Sequence, residues 1–190
     1  MDAADFVALD RATGLFSELV GKLSPSDLGR STACGQWSVW DVVNHVCGGA
    51  RRYSHYLRGG FADEIAWTRS ADNLGADPHA AHDTLSAELR DLFSQPGAAS
   101  IRAHHQMQTV SGHTLLQMRV LELAVHSWDI ANALNPHAEI DAEVAIYLLE
   151  RAVPILEAQR EHGYFAEVEQ PNPGAAAQAR LLALTGRSMR

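Results

Sequence analysis

Disulfide chemistry is all but absent from this chain. Its 190 residues include two cysteines, Cys34 and Cys47, so a buried core rather than a covalent framework must hold the fold. Basic residues are also scarce, 15 Lys and Arg against 23 Asp and Glu. The net charge of -8 argues against nucleic acid or an anionic membrane surface as the main partner. No apolar run approaches the roughly 18 residues of a membrane span. The opening MDAADFVALD is acidic where a secretory signal is basic and then hydrophobic, so the reducing cytoplasm is the expected compartment. Strand signals are too few for a sheet-based core, and internal repeats are missing. What remains is an ordinary globular composition, 46% hydrophobic and 20% charged, which suffices for one domain over residues 1–190. Its core is expected at about 1–135, with a C-terminal helix and tail over 136–190. Histidine is the residue in excess, at ten, and that excess raises the question of a metal or of proton transfer.

Helical spacing dominates the pattern. Phe6, Leu9, Thr13, Phe16, Val20 and Leu23 step by three and four, predicting a first helix from about Ala3 to Lys22. Ser38 as N-cap, with Asp41 completing a capping box, opens a second over about Val39 to Leu57, which Gly59-Gly60 ends. Phe61 to Ala76 reads as an irregular connection. Asp77-Pro78 starts a third helix that runs to about Phe93. Ser100 to Val110 lacks a period and reads as an extended or loop crossing. A long helix follows Ser111-Gly112 and stops at Asn135-Pro136. A fifth helix starts at Asp141, and Pro154 should kink or end it. The tail is turn-rich through Gln170 to Gly174, and Ala176 to Leu184 should dock back on the rest. The expected fold is all-α, a four-helix bundle with an additional C-terminal helix and tail.

The long helix carries the chemistry. Leu115 to Leu134 is apolar almost all round, yet Arg119, Glu122, His126 and Asp129 fall at i, i+3, i+7 and i+10 on one face. Buried ionisable groups in a row cost several kcal/mol unless each is paired or metal-bound. Glu122 and His126, one turn apart, suit two ligands of one ion, and His45, interrupting the valine-rich face of the second helix, is the candidate for a third. The same residues would also be satisfied without metal, with His45 and His126 bonded to Glu122 and Asp129. Gly48 and Gly49, inside the second helix, either admit a neighbouring helix or leave room for a cofactor or ligand beside His45. Arg52 and Arg119 could anchor a carboxylate of substrate or cofactor, or form internal ion pairs with Asp41 or Asp129. Asp41 and Asp129 could also orient ligating histidines. His104, His105 and His113 either line a substrate pocket or are solvated loop residues, the second being the preferred reading. Cys34 reads as a reactive thiol or, preferably, as a small buried loop residue, and Cys47, about 200° around the helix from His45, should not reach a metal.

Two motifs carry a resemblance. Trp37-Ser38-Val39-Trp40-Asp41-Val42-Val43-Asn44-His45-Val46, followed by Gly48-Gly49 and Arg51-Arg52, resembles the N-terminal motif of the DinB-like, mycothiol-dependent maleylpyruvate isomerase family of actinobacterial proteins. Glu122-Leu-Ala-Val-His126-Ser-Trp128-Asp129-Ile-Ala131 resembles its second motif, and Ala177 to Arg187 is similar to the tail of its short members. The resemblance implies a four-helix bundle with a divalent ion, zinc or else nickel or another metal, held by His45, Glu122 and His126. It also implies mycothiol as thiol co-substrate. Full isomerases of that family carry a further C-terminal domain that this chain is too short to hold, which sets maleylpyruvate isomerisation itself in doubt.

The expected function is therefore a metal-dependent enzyme that uses a low-molecular-weight thiol for S-transfer or isomerisation of an electrophilic small molecule. Arg52, Arg119 and Asp129 are its candidate catalytic residues, and Gly48, Gly49 and Arg52 the candidates for cofactor contact. A hydrolase working through metal-bound water, or a non-catalytic metal- or ligand-binding bundle, would use the same ligand set. The expected partners are the substrate and the thiol, in a monomer or homodimer.

Overall fold

Four long helices each begin on a side chain that satisfies their first free amides. They were located in a computed structural model, which describes residues 1–165 and 174–187. In α1 (Ala3–Gly21) Asp2 and Asp5 form a reciprocal capping box, and in α2 (Val39–Leu57) Ser38 and Asp41 do the same. Asp77 accepts from the Ala80 amide at the head of α3 (Pro78–Phe93), with Pro78 in the first turn. Ser111 accepts from the Thr114 amide to open α4 (Gly112–Leu134).

These helices pack α1 on α4, α2 on both α3 and α4, and α1 on α3, which is the expected bundle. Phe16, Val43, Val46, Phe93, Leu116 and Leu123 fill its centre at no more than 1% exposure. Between α3 and α4 the segment read as an extended crossing is a small antiparallel hairpin, β1 (Arg102–His104) with β2 (Thr109–Ser111). Gly112 is required where α4 leaves it, because a Cβ there has no room against the Ala98 carbonyl.

The expected fifth helix is two. α5 (Ala142–Arg151) ends at Ala152, and α6 (Val153–Glu161) restarts with Pro154 in its first turn, where proline needs no amide partner. α7 (Ala177–Leu184) docks on α5 through buried Leu181 and Leu182. The turn-rich stretch read at Gln170 to Pro173 lies outside the described residues.

A buried carboxylate ties α1 to α4 and α5. Asp5, fully buried, accepts from the Asp2 amide at 2.7 Å and from the Tyr147 hydroxyl at 2.8 Å. Arg151 Nη1 reaches it at 3.3 Å, and His113 Nε2 lies 3.1 Å away. Burial pushes its pKa up, but these hydrogen bonds and the His113 imidazole outweigh that and hold it below the usual carboxylate range. Nearby, Arg11 clamps Asp141, the α5 cap, with bonds of 2.8 and 2.7 Å. No helix among the described residues is long and apolar enough to cross a membrane.

Candidate metal and substrate site

Where α2 and α4 cross, His45, Glu122 and His126 face a common cavity of about 180 Å3, together with Arg52, Tyr53, Trp37 and Cys34. His45 Nε2 lies 3.2 Å from Glu122 Oε1, and the two imidazoles stand edge to face with centroids 5.1 Å apart. Trp37 packs over both rings, 4.8 Å from His45 and 6.1 Å from His126. Burial pushes the His45 pKa down against the pull of Glu122, although 33% of its side chain is reached through the cavity.

The stripe on α4 divides into groups that touch the cavity and groups that do not. Arg119, 1% exposed, lies beneath it and donates from Nη1 to the Val46 carbonyl and to Glu122 Oε2, both at 2.9 Å. It therefore aims the Glu122 carboxylate and does not line the space where a substrate would sit. Burial raises the Glu122 pKa, but the His45 hydrogen bond and the charges of Arg119, His45 and Arg52 outweigh that and hold it well below the usual carboxylate range. Asp129 is also outside the cavity. Its Oδ2 lies 2.9 Å from His126 Nδ1, which leaves Nε2 as the imidazole nitrogen free to act as a ligand. Asp41 makes its hydrogen bonds at Ser38 in the α2 cap, so it pairs with neither arginine and orients no histidine.

Both mid-helix glycines are there for close packing, and neither lines the cavity. A Cβ on Gly49 would lie 2.5 Å from Glu122 Oε1. On Gly48 it would lie 2.9 Å from Arg52 Nη1 and from Asn73 Nδ2. The room read beside His45 is thus taken by protein groups, which corrects their reading as cofactor contacts. Arg52 is 7% exposed and lines the cavity, and it donates to Thr68 Oγ1 at 3.1 Å. Among the described residues it has no carboxylate partner.

The three histidines divide between the two readings, and His105 is the one that lines the cavity. His105 enters the cavity edge-on to Tyr53 and Tyr56, with centroids 6.1 and 5.7 Å away, and burial pushes its pKa down to about 4. His104 stacks on Phe61 at 4.2 Å, and His113 pairs with Asp5. A hairpin packed on α2 carries His104 and brings His105 to the cavity, and the residue pattern gave no period from which to infer it; the His113 side chain, on α4, stays 39% exposed. Cys47 is buried, and desolvation pushes its thiol up to about 11.

Among the described residues, one triple of possible ligand atoms lies within 4.8 Å of one another: Cys34, His126 and Asp129. Asp129 gives both oxygens to the Arg187 guanidinium, so a cation lodged there would face a fixed positive charge. The His45, Glu122 and His126 set is not gathered as closely, and Glu122 Oε2 accepts from Arg119, but Oε1 is turned toward His45. Two imidazoles and a carboxylate already aimed by Arg119 suit a divalent ion with positions open to the cavity.

Residues 9–131 match the family model described as the mycothiol maleylpyruvate isomerase N-terminal domain. The chain belongs to that family. Two uncharacterised proteins of Mycobacterium tuberculosis, from strains CDC 1551 / Oshkosh and ATCC 25618 / H37Rv, are each 28% identical to it over 186 residues. These alignments cover 97% of this chain and 98% of each relative. The crystal structure of the mycothiol-dependent maleylpyruvate isomerase shares its fold, with a TM-score of 0.68 at 16% identity over 97% of this chain and 88% of that one. A histidine-to-alanine variant of that isomerase aligns with a TM-score of 0.58 at 16% identity, over 76% and 66% of the two chains. In this mycothiol maleylpyruvate isomerase-type chain, four residues beyond the matched span still line the cavity: Gln159, Tyr164, Phe165 and Arg187. Arg187 lines the cavity from just past α7, and the sequence reading assigned it no role.

Proposed function

We propose that this protein is a thiol-dependent isomerase or S-transferase acting on a small, anionic, electrophilic substrate in the cytoplasm, with His45, Glu122 and His126 holding a divalent ion, zinc in this reading. The observation that carries it is a cavity onto which two helices bring two imidazoles and a carboxylate, beside a buried guanidinium that forms no direct ion pair among the described residues. When bound, the ion supplies Lewis acidity that favours the thiolate form of a coordinated thiol, the nucleophile this chemistry needs. Membership of the family supports mycothiol as that thiol.

The chain's own residues do the rest. Arg119 keeps the Glu122 carboxylate turned toward His45. Asp129 holds the His126 ring by Nδ1. Arg52, desolvated and in direct contact with no carboxylate among the described residues, is placed to take a substrate carboxylate, an interaction strengthened by its burial. Trp37 covers both imidazoles at the cavity mouth and limits water at the reacting atoms. A volume of 180 Å3 is below the roughly 300–1,000 Å3 of drug-sized pockets, which favours a small acid as substrate.

The test is metal analysis of the purified protein, followed by thiol consumption or isomerisation assays with mycothiol and a panel of unsaturated carboxylates that includes maleylpyruvate. Stoichiometric metal, and turnover that needs both metal and thiol and is lost in His45→Ala, is the expected result. A metal-free protein whose His45→Ala variant is unchanged in every property defeats the proposal. Metal-dependent turnover that proceeds without any thiol would assign the site to a hydrolase.

A further inference from the structure

The C-terminal end of the described chain is built to deliver one side chain. Leu181 and Leu182 anchor α7 at no more than 1% exposure. Beyond Leu184 the Gly186 amide donates to the Ala183 carbonyl at 3.1 Å, and the Arg187 amide donates to the Leu182 carbonyl at 2.9 Å. With Gly186 at φ 69°, these two bonds define a Schellman cap, which fixes the direction in which Arg187 leaves the helix. Its guanidinium grips Asp129 in a fork, Nε to Oδ1 and Nη2 to Oδ2, both at 2.7 Å. Nη1 donates to the Thr185 carbonyl at 2.9 Å. The two side chains are 9% and 0% exposed. Every guanidinium nitrogen is therefore engaged within the protein, although the side chain borders the cavity.

We infer that Arg187 is a positioning residue for His126, acting through Asp129, so that α7 forms part of the metal site. This rests on the proposed metal reading. Asp129 holds His126 by Nδ1, and the forked contact prevents the carboxylate from rotating away. Removing the guanidinium leaves a buried carboxylate with the imidazole as its one remaining side-chain partner among the described residues. The ring then loses its fixed orientation, a kind of loss that typically lowers metal affinity 10–100-fold. Lysine cannot reproduce the fork, since an ammonium is a point donor.

The experiment measures zinc affinity by chelator competition in the full chain, for the wild type and for Arg187→Ala, Arg187→Lys, Asp129→Asn and the Asp129→Asn/Arg187→Ala double variant. Circular dichroism of the metal-free proteins checks folding. The expectation is a roughly 10–100-fold loss in Arg187→Ala, a partial loss in Arg187→Lys, and a double variant no weaker than Asp129→Asn alone. Millimolar guanidinium should restore part of the affinity of Arg187→Ala and none of that of Asp129→Asn. Wild-type zinc binding that Arg187→Ala leaves unchanged overturns this inference and spares the metal reading. Unchanged zinc affinity with a raised KM would reassign Arg187 as a substrate anchor and also overturn it. A wild type that binds no zinc overturns both. Should Arg187→Ala not fold, Arg187→Lys decides, because undiminished affinity there refutes the need for the fork.

Discussion

Gly49→Ala separates the packing of the site from its chemistry. In an ordinary helix interior this change stabilises by about 1 kcal/mol, because alanine has the higher helix propensity. Here the new methyl would meet Glu122 Oε1 at 2.5 Å, Oε2 at 3.0 Å and Cδ at 3.1 Å. Relief needs a carboxylate shift of about 1 Å, given an ordinary carbon–oxygen contact of roughly 3.5 Å. That shift strains the 2.9 Å bond from Arg119 and the 3.2 Å contact with His45. Overpacking of this kind typically costs about 1–3 kcal/mol, so the net change should be a destabilisation of about 0–2 kcal/mol. Metal affinity should fall by about tenfold or more, since one displaced ligand forfeits at least about 1.4 kcal/mol of binding. Urea unfolding of the metal-free protein and chelator competition measure the two quantities. A variant that gains the full propensity benefit and binds zinc as tightly as wild type would show that Glu122 is not seated against Gly49.

Three further outcomes follow from the same geometry. Arg52→Met should raise KM for an anionic substrate about 10–100-fold, the worth of a charge-assisted hydrogen bond at about 1.5–3 kcal/mol, while metal content stays at the wild-type level. Steady-state kinetics with metal analysis check it, and an unchanged KM removes Arg52 from substrate binding. His82 is fully buried against Phe16, and desolvation, with the nearby Arg119 charge, pushes its pKa down to about 4. Its neutral form is the folded one, so its stability contribution is complete above about pH 6.5 and is lost as pH falls from there toward 4. His82→Leu should flatten the stability-pH curve by a few kcal/mol across that window in urea titrations, and an unaltered slope refutes the assignment. Asp5→Asn should destabilise by about 2 kcal/mol or more at neutral pH, since it unpairs a buried network. Because the folded pKa of Asp5 is depressed, its contribution is present above about pH 4 and is lost as pH falls further, so the variant should lose part of the acid-side slope below that point.

Much of the fold was legible because its boundaries are written in local chemistry. Ser38 with Asp41, Asp77 before Pro78, and Ser111 place the helix starts within a residue of where they occur, and Pro154 marks the break between α5 and α6. The hairpin was legible as non-helical and no further, since its pairing is set by distant packing on α2. The stripe on α4 was also readable, because charges in an apolar helix demand partners. A helical face gives direction but not depth, however. Arg119 and Asp129 share the face of Glu122 and His126, yet each is turned to a group that spacing along α4 cannot reveal, the Val46 carbonyl in one case and Arg187 in the other. The roles of Gly48 and Gly49 depended likewise on what stands opposite them in space.

The Asp5 network has a consequence for the order in which the chain can be completed. The α1 cap carboxylate is satisfied by Tyr147 and Arg151, and Arg11 finds its partner in Asp141. At synthesis rates of about 5–20 residues per second, α1 therefore leaves the ribosome on the order of ten seconds before these groups exist. Throughout that interval the apolar face of α1, with Leu9 and Phe16, lacks the α4 surface on which α1 packs. The native state is closed by joining its earliest helix to one of its last, a nonlocal step that slows folding even in a helical protein.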